Sequence, residues 1–164
     1  EFNSNLYLCC LITYGCLLRP HKEVRELSWQ DISPDLSSVK LSGKRNKSKR
    51  VRVVPVPDFV RDELRRRRER SKSTSENIFS KAVEPFNPSY FKSLWTVFKR
   101  KSSSVRKEQT LYLFRHTAAL NLFSRSGDLR KLSTAMGHSS LEVTLGYLKH
   151  MARTELTAAD MPMF

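Results

Sequence analysis

Residues 113–147 constrain the fold most, because their apolar spacing and stop signals predict three short consecutive helices. The first predicted helix ends at Gly127, a residue type that commonly terminates helices. Asp128 follows at once and can cap the N-terminus of the second. Ser139-Ser140-Leu141-Glu142 has the form of a capping box, so a third helix should start there. The second half of the chain is therefore predicted to be helical.

The first half of the chain mixes predicted helices with a few short strands. Its basic and β-branched residues alternate on either side of a turn-rich loop, which favours a hairpin. The predicted helices cover 3–13, 20–29, 57–72 and 90–101, and the predicted strands cover 38–42, 50–55 and 77–79. The expected fold class is α+β, mainly α-helical, with a small antiparallel sheet of about three strands. Residues 1–164 should form one domain, with 151–164 as a C-terminal tail.

The charge of the chain points to a polyanionic partner. Its 164 residues are 39% hydrophobic, enough for one domain with a core, but the net charge is +14 and the pI about 10.1. The electric field of such a positive charge attracts polyanions and speeds their encounter with the protein. Nucleic acid is the favoured partner, and a membrane-surface or ribosomal role is the alternative.

The cysteines and the apolar N-terminal segment indicate a cytoplasmic protein with no membrane partner. Cys9, Cys10 and Cys16 are odd in number and crowded together, which is typical of buried reduced thiols. The apolar run over 6–18 is too short for a membrane span. It also lacks the basic start of a signal peptide.

Basic residues concentrate in three segments, 40–52, 61–72 and 99–107. The first holds seven Lys or Arg and no acid, and the second holds seven with three acids. One such run is usually a solvated face, but three on different elements favour contacts with phosphates. The predicted DNA-binding residues of the hairpin are Arg45, Lys47, Lys49 and Arg50.

Arg, His and Tyr side chains along the helical second half fit phosphodiester chemistry. Exchange of a phosphodiester without a metal needs a nucleophile, donors to the phosphate oxygens and an acid for the leaving oxygen. Arginine donates two hydrogen bonds to phosphate and stays charged at any working pH. The sequence has no carboxylate pair with metal-ligand spacing and no glycine-rich phosphate loop. A reaction without metal, cofactor or ATP is therefore expected.

Five segments carry these residues along the chain. They are Arg19 with Glu23, Gly43-Lys44-Arg45-Asn46-Lys47, Tyr112-Leu113-Phe114-Arg115-His116, Met136-Gly137-His138-Ser139, and Thr144 with Tyr147. Their order and spacing resemble the tyrosine recombinase (phage integrase) family over nearly the whole chain. That family has an arginine followed by a glutamate, a lysine in a β-hairpin, a box ending in Leu-Arg-His, a Leu-Gly-His-Ser box and a Thr-x-x-Tyr motif.

The resemblance implies a DNA breaking-rejoining catalytic fold and a site-specific recombinase or integrase. It implies that Tyr147 attacks the scissile phosphate and forms a 3′-phosphotyrosyl link, while Arg19 and Arg115 bind the phosphate. Lys44 would protonate the 5′-oxygen, and His138 would bind a phosphate oxygen or help to orient the site. The implied catalytic residues are Arg19, Lys44, Tyr112, Arg115, His138 and Tyr147, with Glu23 and His116 in support.

Several alternatives remain open at this stage. Lys47 or Lys49 could be the acid in place of Lys44, and an Arg19–Glu23 ion pair could be purely local. A type IB topoisomerase uses a similar set of residues, and a non-catalytic DNA-binding protein could keep the fold. An RNA-binding protein would fit the charge but not the ordered motifs.

The resemblance also implies a larger assembly than this chain. Family members carry a helical N-terminal DNA-binding domain that this sequence lacks, so we expect the C-terminal catalytic domain of a longer integrase. On double-stranded DNA it would act as a tetramer, whereas the isolated domain would be a monomer. Its expected location is the prokaryotic cytoplasm, at the nucleoid.

One departure from the family pattern gives a first prediction. Tyr112 stands where the family has a histidine, and a phenol can donate a hydrogen bond to phosphate but cannot shuttle protons near neutral pH. Tyr112→Phe should therefore lower the yield of covalent protein–DNA adduct only partly, measured on denaturing gels. Complete loss of the adduct would contradict this view of Tyr112.

Overall fold

The computed structural model describes residues 2–43 and 51–149. Within them the chain is mainly helical with a small antiparallel sheet, so the predicted fold class is confirmed. The elements are α1 (Ser4–Gly15), β1 (Ser38–Leu41), β2 (Arg52–Pro55), α2 (Asp58–Arg68), α3 (Tyr90–Lys101), α4 (Tyr112–Ser126), α5 (Leu129–Met136) and α6 (Leu141–Lys149). A π-turn (Pro20–Val24) and a 3₁₀ turn (Trp29–Asp31) lie between α1 and β1.

Helix α1 lies at the centre of the main core. The side chain of Asn3 caps it by accepting a hydrogen bond from the Leu6 N–H. Leu8 and Cys9 on this helix are fully buried, and α1 packs against α2, α3 and α4. No helix within the described ranges is both long and apolar enough to cross a membrane.

The sheet has two strands in the described residues, so the expectation of about three strands is wrong. β1 and β2 pair antiparallel, with Ser38 opposite Pro55 and Leu41 opposite Arg52. In the predicted third strand only Asn77 makes a bridge, to Ser28. Its side chain accepts hydrogen bonds from the Phe79 and Ser80 N–H groups, which turns the chain and stops further pairing.

The predicted helix over 20–29 is also wrong. Leu17 has a positive φ of 50°, and Pro20–Val24 forms a π-turn in which the Val24 N–H donates to the Arg19 carbonyl at 3.0 Å. A separate 3₁₀ turn then starts at Ser28, whose side chain and N–H both bind Asp31. The irregular segment after α1 places Leu17 in the core of the second half of the molecule, together with Ala118 and Met136.

Helices α4, α5 and α6 confirm the three helices predicted from residues 113–147. Gly127 ends α4 and Gly137 ends α5, both with left-handed φ values (60° and 65°). Asp128 caps α5 by accepting from the Arg130 and Lys131 N–H groups. A second core forms between these helices around the buried residues Leu17, Ala118, Ala119, Leu132, Met136 and Leu148.

Two helical glycines allow a matched test of packing. A Cβ at Gly15, the last residue of α1, would lie 2.6 Å from Val60 Cγ2, so a side chain here would press on α2. Gly15→Ala should lower the free energy of unfolding by about 1–3 kcal/mol through overpacking. Gly146→Ala, where nothing lies within 4 Å, should raise it by about 0.5–1 kcal/mol. Urea denaturation checks both, and equal shifts would contradict the α1–α2 contact.

Candidate active site

The carboxylate of Glu23 is the centre of the site. Its side chain is fully buried, with 0% exposed. Arg52 Nη2 donates to Glu23 Oε2 at 2.9 Å, and the Arg19 guanidinium donates to Oε1. Arg115 Nη1 lies 3.9 Å from Oε2. Three arginines from distant parts of the sequence therefore share one buried acid.

The π-turn explains how Arg19 and Glu23 meet. The Arg19 N–H donates to Glu23 Oε2 at 2.9 Å, so the carboxylate closes the turn from inside. Pro20 begins the turn, where its missing N–H is not needed. The local Arg19–Glu23 ion pair anticipated from sequence is present, but it is one part of a larger cluster.

The cluster combines one buried carboxylate with three guanidinium groups. Burial alone would raise the pKa of Glu23, but the Arg52, Arg19 and Arg115 charges together bring it below its ordinary 4.5. Burial and then the Arg19 charge lower the pKa of Arg115 to about 10, which still leaves it protonated. The cluster therefore has an excess of positive charge, and an anion would find it favourable.

Arg115 reaches the cluster from α4 and is only 2% exposed. Its Nη2 donates to the Met136 carbonyl at the C-terminus of α5, at 2.7 Å. Its Nη1 is buried and finds no hydrogen-bond acceptor within the residues that the structure describes. A buried donor without a partner is costly, so this N–H is well placed for an oxygen of a bound anion.

Arg52 is a site residue that sequence reasoning missed. Besides Glu23, it donates to the Ala135 carbonyl through Nη1 at 3.2 Å. A Cβ at Gly137 would lie 2.4 Å from that nitrogen, so Gly137 leaves room for the guanidinium. The alternation of residues along β2 could have indicated it. Arg52 lies on the same buried face of the strand as Val54, and a charged residue is seldom buried there unless it has a partner.

His138 follows Gly137 and lies beside the candidate nucleophile. Its Nδ1 is 2.9 Å from Thr144 Oγ1, and its ring centroid is 5.6 Å from that of Tyr147. Burial, followed by the charges of Arg115, Arg19 and Arg52, lowers the pKa of His138 to about 4. His138 is therefore a neutral imidazole near neutral pH, able to donate a hydrogen bond but carrying no charge.

Tyr147 on α6 faces α4. Its hydroxyl is in hydrogen-bond contact with His116 Nδ1, and the two ring centroids are 5.2 Å apart. Burial raises the pKa of Tyr147, although the Arg115 and Arg19 charges act to lower it. The hydroxyl is therefore protonated near neutral pH and lies within the field of both arginines.

Tyr112 stands at the start of α4, next to this group. Its ring centroid lies 5.7 Å from that of His21 and 6.2 Å from that of His116. The structure thus brings together seven of the predicted site residues, namely Arg19, Glu23, Tyr112, Arg115, His116, His138 and Tyr147.

The remaining predicted residues lie outside the described ones. These are Lys44 and the DNA-binding residues Arg45, Lys47, Lys49 and Arg50. The paired residues Leu41 and Arg52 flank that segment, and Arg52 belongs to the cluster. Across 2–43 and 51–149, no three His, Cys, Asp or Glu side chains come together as metal ligands.

Comparison with known proteins gives one family. The model of the phage integrase family matches residues 3–153. The tyrosine recombinase XerA of Thermococcus kodakarensis is 29% identical over 143 residues, which cover 87% of this chain and 50% of that protein. The chain thus spans about half the length of the curated relatives it matches.

Solved structures share the fold. The crystal structure of XerA recombinase superposes with a TM-score of 0.69 at 19% identity, over 96% of this chain and 54% of that one. The Tn1549 transposon integrase, solved in complex with transposon right end DNA, gives a TM-score of 0.66 at 19% identity, over 95% and 56% of the two chains.

The buried carboxylate gives a prediction for stability and its pH dependence. Glu23→Gln leaves the three arginines without their shared counter-charge and should cost about 3–5 kcal/mol of unfolding free energy at neutral pH. Because the pKa of Glu23 is lowered on folding, its contribution is present above the ordinary value and is lost as pH falls through the folded value. The wild type should therefore lose stability below about pH 4.5 more steeply than the variant.

Chemical denaturation between about pH 3 and pH 7 checks both statements. Glu69→Gln is the matched control, because Glu69 is exposed at the end of α2. If both substitutions lowered the free energy of unfolding equally, Glu23 would not be the shared counter-charge of the three arginines.

Proposed function

The chain belongs to the phage integrase family, and we propose that it is a site-specific DNA recombinase that cuts and rejoins strands through a covalent 3′-phosphotyrosyl intermediate. The reaction uses neither metal nor ATP. One observation carries the proposal: Tyr147, whose hydroxyl contacts His116 next to Arg115 on α4, lies beside the cluster in which Arg115 and Arg19 share Glu23. A nucleophile beside paired phosphate donors is what phosphoryl exchange requires.

In the first step the Tyr147 oxygen attacks phosphorus. An O–P bond forms to tyrosine, the bond from phosphorus to the 5′-oxygen breaks, and the electron pair of that bond stays on the 5′-oxygen. Lys44 supplies the proton for this leaving oxygen. The tyrosyl ester keeps the energy of the broken linkage, so a 5′-hydroxyl can reverse the step on the same or another strand.

The arginines stabilise the charge that develops on the non-bridging oxygens. Arg115 offers its buried Nη1, which has no acceptor among the described residues, and Arg19 is the least buried arginine of the three, with 23% of its side chain exposed. Arg52 is held by Glu23 and Ala135, and it positions the cluster. His138 adds a neutral hydrogen-bond donor near Tyr147. Preorganised donors of this kind need no reorganisation as the charge develops.

The partner that we propose is double-stranded DNA. The net charge of +14 favours a polyanion, and the basic hairpin residues Arg45, Lys47, Lys49 and Arg50 would contact its backbone. The related Tn1549 integrase was solved with transposon DNA. We also propose a location at the nucleoid, in the cytoplasm of a prokaryote, since the relatives it resembles come from prokaryotes.

We further propose that the chain is the catalytic part of a longer recombinase. The support is that it covers 50% of the XerA recombinase it resembles. On DNA the whole protein would work as a tetramer, and the isolated domain would be a monomer. Size-exclusion chromatography with light scattering, with and without a DNA site, measures both states.

Covalent trapping tests the proposed function. The full chain is incubated with a pool of nicked duplexes of randomised sequence, and adducts are isolated on denaturing gels and sequenced. Wild-type protein should give an adduct and Tyr147→Phe should give none, because phenylalanine has no oxygen to attack phosphorus. Tyr7→Phe, a change at an exposed tyrosine of α1, should react like the wild type.

Two results would overturn the proposal. Salt-sensitive duplex binding without any Tyr147-dependent adduct would indicate a non-catalytic DNA-binding protein. Adducts at unrelated sequences, together with relaxation of supercoiled plasmid by a monomer, would indicate a type IB topoisomerase.

A further inference from the structure

The nucleophilic hydroxyl of this site has a specific partner. Tyr147 on α6 and His116 on α4 are far apart in sequence, yet the Tyr147 hydroxyl is in hydrogen-bond contact with His116 Nδ1. The rings are tilted by 35° with centroids 5.2 Å apart. The neighbouring Arg115 reaches the Glu23 cluster, with its Nη1 3.9 Å from Glu23 Oε2.

Tyr147 needs a proton acceptor in order to attack. Burial raises the pKa of Tyr147, and the positive charges of Arg115 and Arg19 do not reverse that rise. The resting group is therefore a phenol, and its proton must leave as the O–P bond forms. A base in contact with the hydroxyl is the ordinary means of activating such a nucleophile.

The other groups around Tyr147 are less suited to accept this proton. Glu23 is fully buried and already paired with the arginines of the cluster. His138 Nδ1 is bound to Thr144, and its ring meets Tyr147 edge-on at a centroid distance of 5.6 Å. Tyr112 carries a phenol, which is a poor base near neutral pH.

We propose that His116 is the general base that accepts the Tyr147 proton during strand cleavage. This inference rests on the proposed recombinase function and assigns a catalytic role to a residue that the sequence indicated only as a supporting one. Tyr112 stands where the family has a histidine, one helical turn before His116 on α4. In this chain the imidazole that contacts Tyr147 is that of His116, one turn further along α4.

The proton balance of the step is complete. As the Tyr147 oxygen bonds to phosphorus, its proton moves to His116 Nδ1, and the imidazole, with its other nitrogen protonated, becomes an imidazolium. The 5′-oxygen leaves with the electron pair of its bond and takes a proton from Lys44. In rejoining, the 5′-hydroxyl returns its proton to Lys44, attacks phosphorus, and Tyr147 leaves with the proton from His116.

The surroundings of His116 favour a neutral resting imidazole. Burial, followed by the positive charge of Arg115, lowers its pKa below the ordinary 6.5. The ionisable groups facing it are Tyr112 and Arg115 from α4 and Tyr147 from α6, with His138 beyond Tyr147 and His21 beyond Tyr112. His116 can therefore accept a proton throughout the neutral range.

The first test is single-turnover cleavage as a function of pH, from about pH 5 to about pH 9. The wild-type rate should fall on the acid side as His116 becomes protonated. His116→Gln should cleave roughly 100-fold or more slowly at neutral pH and lose this acid limb. Thr117→Ala, a change at the next, exposed residue of α4, should keep both the rate and the profile.

A second substrate separates the base from the acid. A DNA with sulfur in place of the bridging 5′-oxygen has a leaving group that needs no proton. It should restore cleavage to Lys44→Ala but not to His116→Gln. Restoration of His116→Gln by this substrate would overturn the assignment, because the defect would then lie with the leaving group.

A third variant guards against a purely structural effect. His116→Ala leaves space beside Tyr147, so added imidazole should raise its cleavage rate, and imidazoles of different pKa should differ in a graded way. The inference is wrong if His116→Gln keeps the wild-type rate and acid limb, or if folded His116→Ala gains nothing from imidazole. Absence of any adduct from the wild type would instead show that the proposed function itself is wrong.

Discussion

The ion cluster around the buried Glu23 carboxylate is the interaction on which the rest of the site depends. An isolated carboxylate in this position would be strongly destabilising, since burial of an unpaired ion costs several kcal/mol. Arg19, Arg52 and Arg115 offset that cost, and each comes from a different element: the chain before the π-turn, strand β2 and helix α4. Arg52 and Arg115 also donate to the carbonyls of Ala135 and Met136, which fixes the C-terminus of α5 against the cluster. The same bonds that neutralise one acid therefore join the two halves of the molecule.

Three guanidinium groups share one carboxylate, so the cluster has an excess of positive charge. In the proposed mechanism, this excess binds the phosphate. Evolution of a stable core alone would favour apolar side chains here, because replacing a buried ion cluster by packed hydrophobic groups is often neutral or stabilising. An unneutralised guanidinium is instead what a phosphate site requires, and Arg115 Nη1 has no hydrogen-bond acceptor among the described residues. A bound phosphate would supply the missing acceptor. The hydrogen bond that completes the pairing of Arg115 would therefore also contribute to the affinity for the substrate.

The parts of the fold that could be predicted from sequence are those determined by local chemistry. Gly127 and Asp128 specify the end of α4 and the start of α5, and the structure has them there. The helix predicted over 20–29 is instead a π-turn followed by a 3₁₀ turn. The strand predicted over 77–79 is instead a turn, in which the Asn77 side chain accepts from the Phe79 N–H and donates to the distant Arg25 carbonyl. Within the site, motif spacing indicated Arg19, Arg115 and Tyr147. It did not indicate Arg52, which is one of seven basic residues in 40–52.

The contact of His116 with Tyr147 could not be predicted either, since it depends on how α6 lies across α4. It also ties the proton chemistry to the charge cluster. Arg115 is adjacent to His116 in sequence, and its charge disfavours the imidazolium. When the negative charge of a phosphorane-like transition state accumulates against Arg115, that repulsion is offset and the imidazole becomes a stronger base. The proposed base would thus be weakest in the empty site and strongest at the moment when the Tyr147 proton has to leave. The Arg115 guanidinium would thus stabilise the transition state and also make His116 a better base only when the phosphate is present. Tyr147 would therefore rarely lose its proton before DNA is bound.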